Sequence, residues 1–398
     1  MTQVAKAARP LLIAGGGIGG LATALALAKC GFKSRILERN AVFSEAGAGI
    51  QIGPNGVAVL RALGVADALE PKVGRPDEIW VMDARNRRLL AALPLGATMA
   101  ARLGGPYWTA HRADLHAALL AGAEREPLIA ITTGFEVDRL EAMAAGVRVV
   151  SVSGTAASGA ALIGADGLWS KVRGYVSDNV MLKPSGRRAY RAVVPMAAAP
   201  RALQGNATGL WLAAGMHAVH YPVRGGSEIA LIVIAPAAGG GAGWTTAAGH
   251  DEVLATARGF APDLLALIGA APGWNSWALY DAAPLAQWSN GAVALLGDAA
   301  HPILPFLAQG GVMALEDAVM LANAVKRGPD LPAAFEAYGT ARMARVARVA
   351  GSARRNGGIY HLSGIGAFAR NGVLRAMPGT SLMARYDWLY GWVPPDLG

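Results

Sequence analysis

A single cysteine, Cys30, leaves this 398-residue chain without an internal disulfide framework and without any paired-cysteine metal site. Such usage suits a reducing cytoplasm, and no metal site is expected. Charged residues are also scarce at 16%, against 53% hydrophobic, which excludes the disordered class. The 52 glycines follow no three-residue period, which excludes a collagen. Long uninterrupted apolar runs are lacking too. Each is broken by Asp, Glu, Arg or Gly well before the roughly 20 residues a bilayer crossing needs, so no membrane association is expected. Lys6 and Arg9 ahead of the apolar run from Leu11 imitate a secretory signal, but Gly15, Gly16, Gly17, Gly19 and Gly20 would weaken its helix. Acidic residues are the rarer sign, 27 against 36 basic, for a net charge of +9. The arginines are scattered and not interleaved with aromatics, so no nucleic-acid platform is expected; attraction of small anions remains. The one run, Arg342, Arg345, Arg348, Arg354 and Arg355, reads as a solvated helix face, with a homodimer contact as its other use.

What is present begins with a short apolar run, Pro10 to Ala14, read as a buried parallel strand. It enters a glycine cluster that opens a helix from about Ile18 to Cys30, and Lys33 to Leu37 then forms a second strand closing in Glu38. That is the length of a βαβ unit with a right-handed crossover. Helices are expected at Pro54 to Leu63 and Leu115 to Glu124, and strands at Val147 to Val152 and Ala160 to Ile163. From Pro184 to Trp277 the chain changes to short runs such as Ala218 to Val223 and Glu228 to Ile234, divided by Arg224-Gly225-Gly226, the pattern of an antiparallel lobe. Ala237 to Gly243 reads as a loop. A buried strand at Ala292 to Leu296 and a helix from about Gly311 to Lys326 follow, then helices broken by Pro332 and by Pro394-Pro395. There are no repeats.

Gly15-Gly16-Gly17-Ile18-Gly19-Gly20 satisfies G-x-G-x-x-G between a strand and a helix, with Glu38 closing the next strand and Arg39 beside it. Glycines at Gly15, Gly17 and Gly20 permit a tight turn and let backbone amides of the Ile18–Gly19 turn approach a pyrophosphate. The Glu38 carboxylate suits ribose hydroxyls. The pattern indicates a dinucleotide without saying which one. A second segment, Gly297-Asp298-Ala299-Ala300-His301-Pro302, precedes Ala308-Gln309-Gly310-Gly311-Val312 at a helix start, and a third is Gly164-Ala165-Asp166-Gly167-Leu168-Trp169-Ser170-Lys171-Val172-Arg173.

Together these three segments resemble, in family order, the motifs of the class A FAD-dependent aromatic monooxygenases with the para-hydroxybenzoate hydroxylase fold. Gly47-Ala48-Gly49-Ile50-Gln51, His111-Arg112-Ala113-Asp114-Leu115 and the ending Asp387-Trp388-Leu389-Tyr390 extend the likeness toward the salicylate and hydroxybenzoate hydroxylases. The resemblance implies an α/β fold: a Rossmann-like FAD-binding domain, an inserted antiparallel β-sheet substrate lobe and a helical C-terminus. The expected division is 1–183, with substrate-lobe excursions around 75–110, then 184–280, then 281–398. It also implies FAD held by the glycine turn, Glu38, Arg39, Gln51, Arg112, Asp166, Asp298 and the Gly310, Gly311 and Val312 helix start, whose dipole faces the flavin. NADH or NADPH would reduce the flavin, O2 would add as a C4a-hydroperoxide, and its distal oxygen would pass to an aromatic ring.

On the run His217-Ala218-Val219-His220-Tyr221, period-two alternation sends His217, Val219 and Tyr221 to one face and His220 to the other. The resemblance makes His217 and Tyr221 the groups that help to deprotonate a phenol, with an imidazole near its ordinary pKa of about 6.5 suited to the task. His301 is expected to bond backbone, His111 or His116 to cap or pack, and Arg224 to sit on a surface turn. After His301 the chain reads Pro302-Ile303-Leu304-Pro305-Phe306, apolar where the 3-hydroxybenzoate 6-hydroxylase and 6-hydroxynicotinate hydroxylase branches tend to be polar. Pro305 and Phe306 are therefore expected to wall the substrate, an aromatic acid of salicylate or hydroxybenzoate type. A pyridine carboxylate hydroxylase, or a flavin oxidoreductase that transfers no oxygen, are the alternatives.

Overall fold

The computed structural model describes residues 9–43, 49–143, 146–177, 182–237 and 246–398. Most of the loop expected at Ala237 to Gly243 lies outside them, as do Gly47 and Ala48. A six-stranded sheet has the order Ser289–Asn290, Val293–Leu295, Ala161–Gly164, Leu11–Ala14, Ser34–Leu37, Ile129–Thr132, parallel except at its first pair. Its central strand Leu11–Ala14 is buried throughout, as a parallel strand covered on both faces must be. Helix Ile18–Lys29 is buried around most of its circumference and packs on helix Gly310–Arg327, where a Cβ at Gly19 would lie 3.3 Å from that of Ala314. Helix Pro54–Leu63 starts with its proline in the first turn and ends on Gly64 at φ 76°, the usual asymmetry of helix ends.

An eight-stranded sheet takes strands from two stretches of the chain. In spatial order these are Thr246–Ala248, Trp274–Ala282, Leu182–Pro195, Glu228–Pro236, Met216–Val223, Ala207–Ala213, Glu78–Asp83 and Leu89–Pro94. All neighbours are antiparallel but Ala207–Ala213 with Glu78–Asp83. Helices His250–Thr256 and Pro262–Gly269 cover one face, with Leu264, Leu267 and Ile268 against Trp211, Leu231, Val233 and Trp274. The other face carries Ala189, Ile234, Leu279 and Tyr221. The fold is therefore mixed α/β, with a doubly covered parallel sheet, an antiparallel sheet and a helical C-terminal region.

Pro332 begins a helix instead of breaking one. It lies in the first turn of Leu331–Tyr360, thirty residues long, where its missing N–H costs nothing, and Asp330 accepts from the Ala333 amide at 2.9 Å as the cap. Among the described residues no helix is long and apolar enough to cross a membrane.

Candidate active site

The dinucleotide end is built from backbone. Gly15 leaves the first strand at φ 99°, where a Cβ would sit 2.5 Å from the Ala165 carbonyl oxygen, and a Cβ on Gly20 would sit 1.9 Å from the Gly15 oxygen. Only glycine permits that approach of helix to strand. At Gly17, by contrast, nothing lies within 4 Å of a Cβ position, and the helix start carries no side-chain cap. Its first-turn amides are thus left for an anionic ligand. Glu38 shuts the turn from the side: Oε2 accepts from the Gly16 amide at 2.8 Å and Oε1 from the Asn40 amide at 2.9 Å. His116 meets the Gly16 carbonyl at 2.8 Å and His111 Nδ1 accepts from the Ala113 amide, so both serve the packing expected of them.

From this turn a cleft of about 520 Å3 runs past Glu38, Arg39 and Arg112 to Asp166, Asp298 and Pro305. Asp166 spends Oδ2 on the Lys171 and Val172 amides, while its buried Oδ1 has no partner among the described residues. Asp298 opens onto the cleft. Enclosure by the walls raises its carboxyl, against the lowering pull of His301, Arg112, Arg173 and Arg191. Arg173, which sequence reasoning quoted but gave no role, clamps the two loops together. Its Nε donates to the Ala299 carbonyl and its second guanidinium nitrogen to the Asp298 carbonyl, each at 2.7 Å. A glycine cradle with room beside Gly17, a lone buried carboxylate oxygen and an aspartate facing an elongated cleft fit the phosphates and hydroxyls of FAD.

Ile18, Gly19, Gly20 and Val312 lie behind the cleft wall; Val312 is fully buried and would press on a Cβ at Gly56. Gln51 accepts from the Tyr107 hydroxyl at 2.7 Å. Gly310 and Gly311 open helix Gly310–Arg327, again without a side-chain cap. His301 does not bond backbone through Nε2 as expected. Nε2 lies 2.5 Å from Asp317 Oδ2, which also accepts from the Gly297 amide at 3.0 Å. Burial alone would raise the Asp317 carboxyl, but His301, Arg342 and that amide outweigh it and hold it at about 2.

Arg342 is itself a correction, since it is 1% exposed and bonds Asp317 and Glu316 at 2.7 Å. Arg345 adds two bonds to Glu316, whose Oε1 also accepts from Asn55 at 2.8 Å. Burying these carboxylates on helix Gly310–Arg327 required cations, and the neighbouring helix supplies them. Only Arg348, Arg354 and Arg355 of the run are exposed, and Arg348 stacks on Trp388 at 3.8 Å. Arg224 keeps its surface turn at φ 51°, paired with Glu228.

The face of the eight-stranded sheet opposite its two helices forms the second half of the site. His217, Val219 and Tyr221 project to it and His220 to the helix-covered side, where Trp211 Nε1 donates to His220 Nδ1 at 2.9 Å. Across the register, Val219 stands opposite Ile232 and Ile232 opposite Arg191, so Arg191 occupies the row between those of His217 and Tyr221. On this face Val219, Ile232 and Arg191 share one row and are only partly covered, an apolar floor with a cation at its end. Arg191 stacks over Trp277 at 4.8 Å, its Nε has no hydrogen-bond partner among the described residues, and burial pushes it down to about 10, so it stays charged at neutral pH. Burial holds Tyr221 well above the usual phenol range. Burial, with His361 and Arg187 nearby, lowers His217 well below 6.5, not near it as the sequence suggested.

Pro305 lines the cleft, while Phe306 is buried edge-on to His217 at 5.7 Å. Arg191 and His361 went unnoticed in the sequence. Alternation of Arg187, Ala189 and Arg191 against Tyr190 and Ala192 was an available signal for the first. A lone histidine after a long helix gave none for the second. Among the described residues, no cluster of three His, Cys, Asp or Glu is placed to hold a metal ion.

Comparison with known proteins adds to this geometry. The family profile described as FAD binding domain matches residues 9–353. A 3-hydroxybenzoate 6-hydroxylase of Polaromonas naphthalenivorans (strain CJ2) is 39% identical over 385 residues, covering 96% of this chain and 96% of its own. Among solved structures, Klebsiella pneumoniae HpxO complexed with FAD and uric acid has a TM-score of 0.87 at 28% identity, over 97% of this chain and 98% of that one. A salicylate hydroxylase substrate complex has a TM-score of 0.80 at 26% identity, over 97% and 96%.

Proposed function

Since the chain belongs to the FAD-binding family of class A flavoprotein aromatic monooxygenases, we propose that its substrate is a phenolic carboxylic acid of the hydroxybenzoate class and its reductant NADH or NADPH. The observation that carries the substrate reading is the sheet face itself, with a histidine, a cation and a phenol in three successive rows around Val219 and Ile232. Rows two residues apart are about 7 Å apart along a strand, a spacing suited to one aromatic ring with its substituents. In this reading segments 1–183, apart from excursions around 75–110, and 281–398 serve the cofactor and 184–280 the substrate, in a cytoplasmic enzyme whose single cysteine needs no oxidising compartment.

The first-turn amides after Gly17, with Glu38, Arg39, Arg112, Asp166, Asp298 and the Gly310–Gly311 helix start, would hold FAD; Gln51 would support it through Tyr107. Bound FAD supplies the electron path from the reductant and the activation of O2 for transfer to the ring. The remaining work falls to the chain. Arg191, a partly covered cation whose Nε has no hydrogen-bond partner among the described residues, anchors the substrate carboxylate. The apolar floor and the Phe306 wall exclude water, which strengthens every polar contact inside. His217 takes the phenol proton at Nε2 and so makes the ring a better nucleophile. Tyr221 keeps its own proton and donates a hydrogen bond to a substrate oxygen.

Because three rows accept a meta-substituted benzoate and the Polaromonas relative is a 3-hydroxybenzoate 6-hydroxylase, 3-hydroxybenzoate is the first ligand to test, despite the apolar run after His301. An N-heteroaromatic acid is the second reading, favoured by the likeness to HpxO bound to uric acid. The test is stopped-flow reduction of the flavin by NADH and by NADPH, with and without 3-hydroxybenzoate, salicylate and 6-hydroxynicotinate, followed by mass spectrometry of products formed under labelled oxygen. One phenolic acid that speeds reduction and gains a single labelled oxygen is the expected result. Faster reduction that yields only hydrogen peroxide with every phenolic acid would refute the substrate reading.

A further inference from the structure

His217 lies against a second imidazole. Its Nδ1 is 2.8 Å from His361 Nε2, and the rings are 5.0 Å apart. His361 follows the last turn of helix Leu331–Tyr360, and its carbonyl accepts from the Gly215 amide at 3.1 Å, which pins it to the turn before strand Met216–Val223. Phe306 meets both rings edge-on and Tyr360 meets His217 at 5.3 Å, so the pair is caged by aromatics. With Nδ1 engaged, His217 makes no other hydrogen bond among the described residues, so its Nε2 has no protein partner there. His361 Nδ1 is likewise without a protein partner there, but His361 is partly exposed where His217 is 2% exposed. The two rings therefore connect the buried sheet face to the surface.

We propose that His361 is the second member of a two-imidazole proton wire that carries the substrate phenol proton out of the closed site. The proton leaves the phenol oxygen for His217 Nε2, His217 Nδ1–H passes to His361 Nε2, and His361 Nδ1–H passes to water. One proton enters and one leaves. The reverse passage, when the product phenol regains its proton, restores both tautomers. This rests on the reading of His217 as the base, and it makes His361 a positioning and relay residue that acts through His217.

The surroundings favour passage over storage. Arg187, whose guanidinium donates to the Gly215 carbonyl at 2.7 Å, faces the pair from strand Leu182–Pro195, and Arg370 from helix Gly364–Ala376, where it donates to the Ile359 and Tyr360 carbonyls. Among the described residues the Tyr360 phenol is the other titratable group against the pair, and no carboxylate bonds to either ring. Burial, then the two arginines, holds His361 at about 4, so neither ring retains a positive charge near neutral pH.

The test compares FAD-loaded wild type, His361→Gln and His217→Gln with 3-hydroxybenzoate as the probe. Glutamine can keep the 2.8 Å hydrogen bond but cannot pass a proton on, so a spacer role would survive it. For His361→Gln the expected result is a kcat about tenfold lower or more, with KM within about threefold. The deficit should shrink as pH rises toward the phenol pKa of about 10, where the ligand arrives already ionised. Wild-type kcat and pH profile in His361→Gln, beside an impaired His217→Gln, would overturn the wire and leave the base in place. An unimpaired His217→Gln would remove the base reading and the wire with it. A proton inventory of wild-type kcat in mixed H2O and D2O needs no variant to fold. Two protons in flight bow the plot, and a straight line counts against the wire.

Discussion

At Gly17 and Gly20 the same residue type answers two different constraints three positions apart. A side chain at Gly17 would enter the cleft without touching protein, whereas one at Gly20 would collide with the Gly15 carbonyl oxygen at 1.9 Å. Gly17→Val should therefore fold with a near-native melting temperature for the cofactor-free protein and fail to retain FAD, seen as loss of flavin absorbance after desalting. Gly20→Val should lose stability outright, by the several kcal/mol typical of overpacking against backbone. Equal behaviour of the two variants would contradict this division. The glycine signature was legible in the sequence, but it marks both positions alike. Which one faces a ligand depends on what the turn is pressed against.

Helices Gly310–Arg327 and Leu331–Tyr360 are joined by buried charge as well as by apolar packing. Glu316 and Asp317 are fully buried, and Arg342, Arg345, His301 and Asn55 satisfy them from three other segments. Because the Gly297 amide bonds the same Asp317 oxygen, the network also fixes the turn that presents Asp298 to the cleft. Removing one partner leaves buried carboxylates uncompensated, which costs about 3–5 kcal/mol. Arg342→Met should lower the urea unfolding free energy by that amount and weaken FAD binding with it. A loss below about 1 kcal/mol would mean that water or Arg345 replaces the guanidinium. In the sequence these arginines form an undistinguished charge run on a helix, and nothing in their spacing separates Arg342, turned inward, from Arg355, turned outward. The acids that bury it lie twenty-five and twenty-six residues away, Asp317 and Glu316.

For the molecule as a whole, histidines whose charged form burial disfavours, His217 and His220 inside the fold and His361 partly so, make acid the vulnerable side. Burial holds His220 and His361 at about 4 and His217 well below 6.5, whereas the unfolded chain titrates all three near 6.5. Below that value the unfolded state binds more protons than the folded one, so stability is full above about pH 6.5 and is lost as pH falls toward 4. The fully buried His220 alone contributes a slope of up to about 1.4 kcal/mol per pH unit in that window. Asp317, held at about 2, adds nothing until pH falls below the ordinary carboxylate range near 4. Urea midpoints at pH 7 and pH 5 should differ accordingly, and His220→Gln, which can still accept from Trp211, should flatten the difference; equal midpoints would contradict the burial. The sequence by itself determined the βαβ unit, the order of the three motif segments, the flavin-dependent class and the face of the strand shared by His217 and Tyr221. The unit and the shared face are carried by local periodicity and by glycine stereochemistry, which act over a few residues, and the flavin-dependent class by the resemblance of the three segments to a known family. Tertiary structure decided that Arg191 stands between them, that His361 meets His217, and that Arg342 is inside. Each of these is a contact between segments 25 to 144 residues apart, set by sheet register and helix packing that no local pattern encodes.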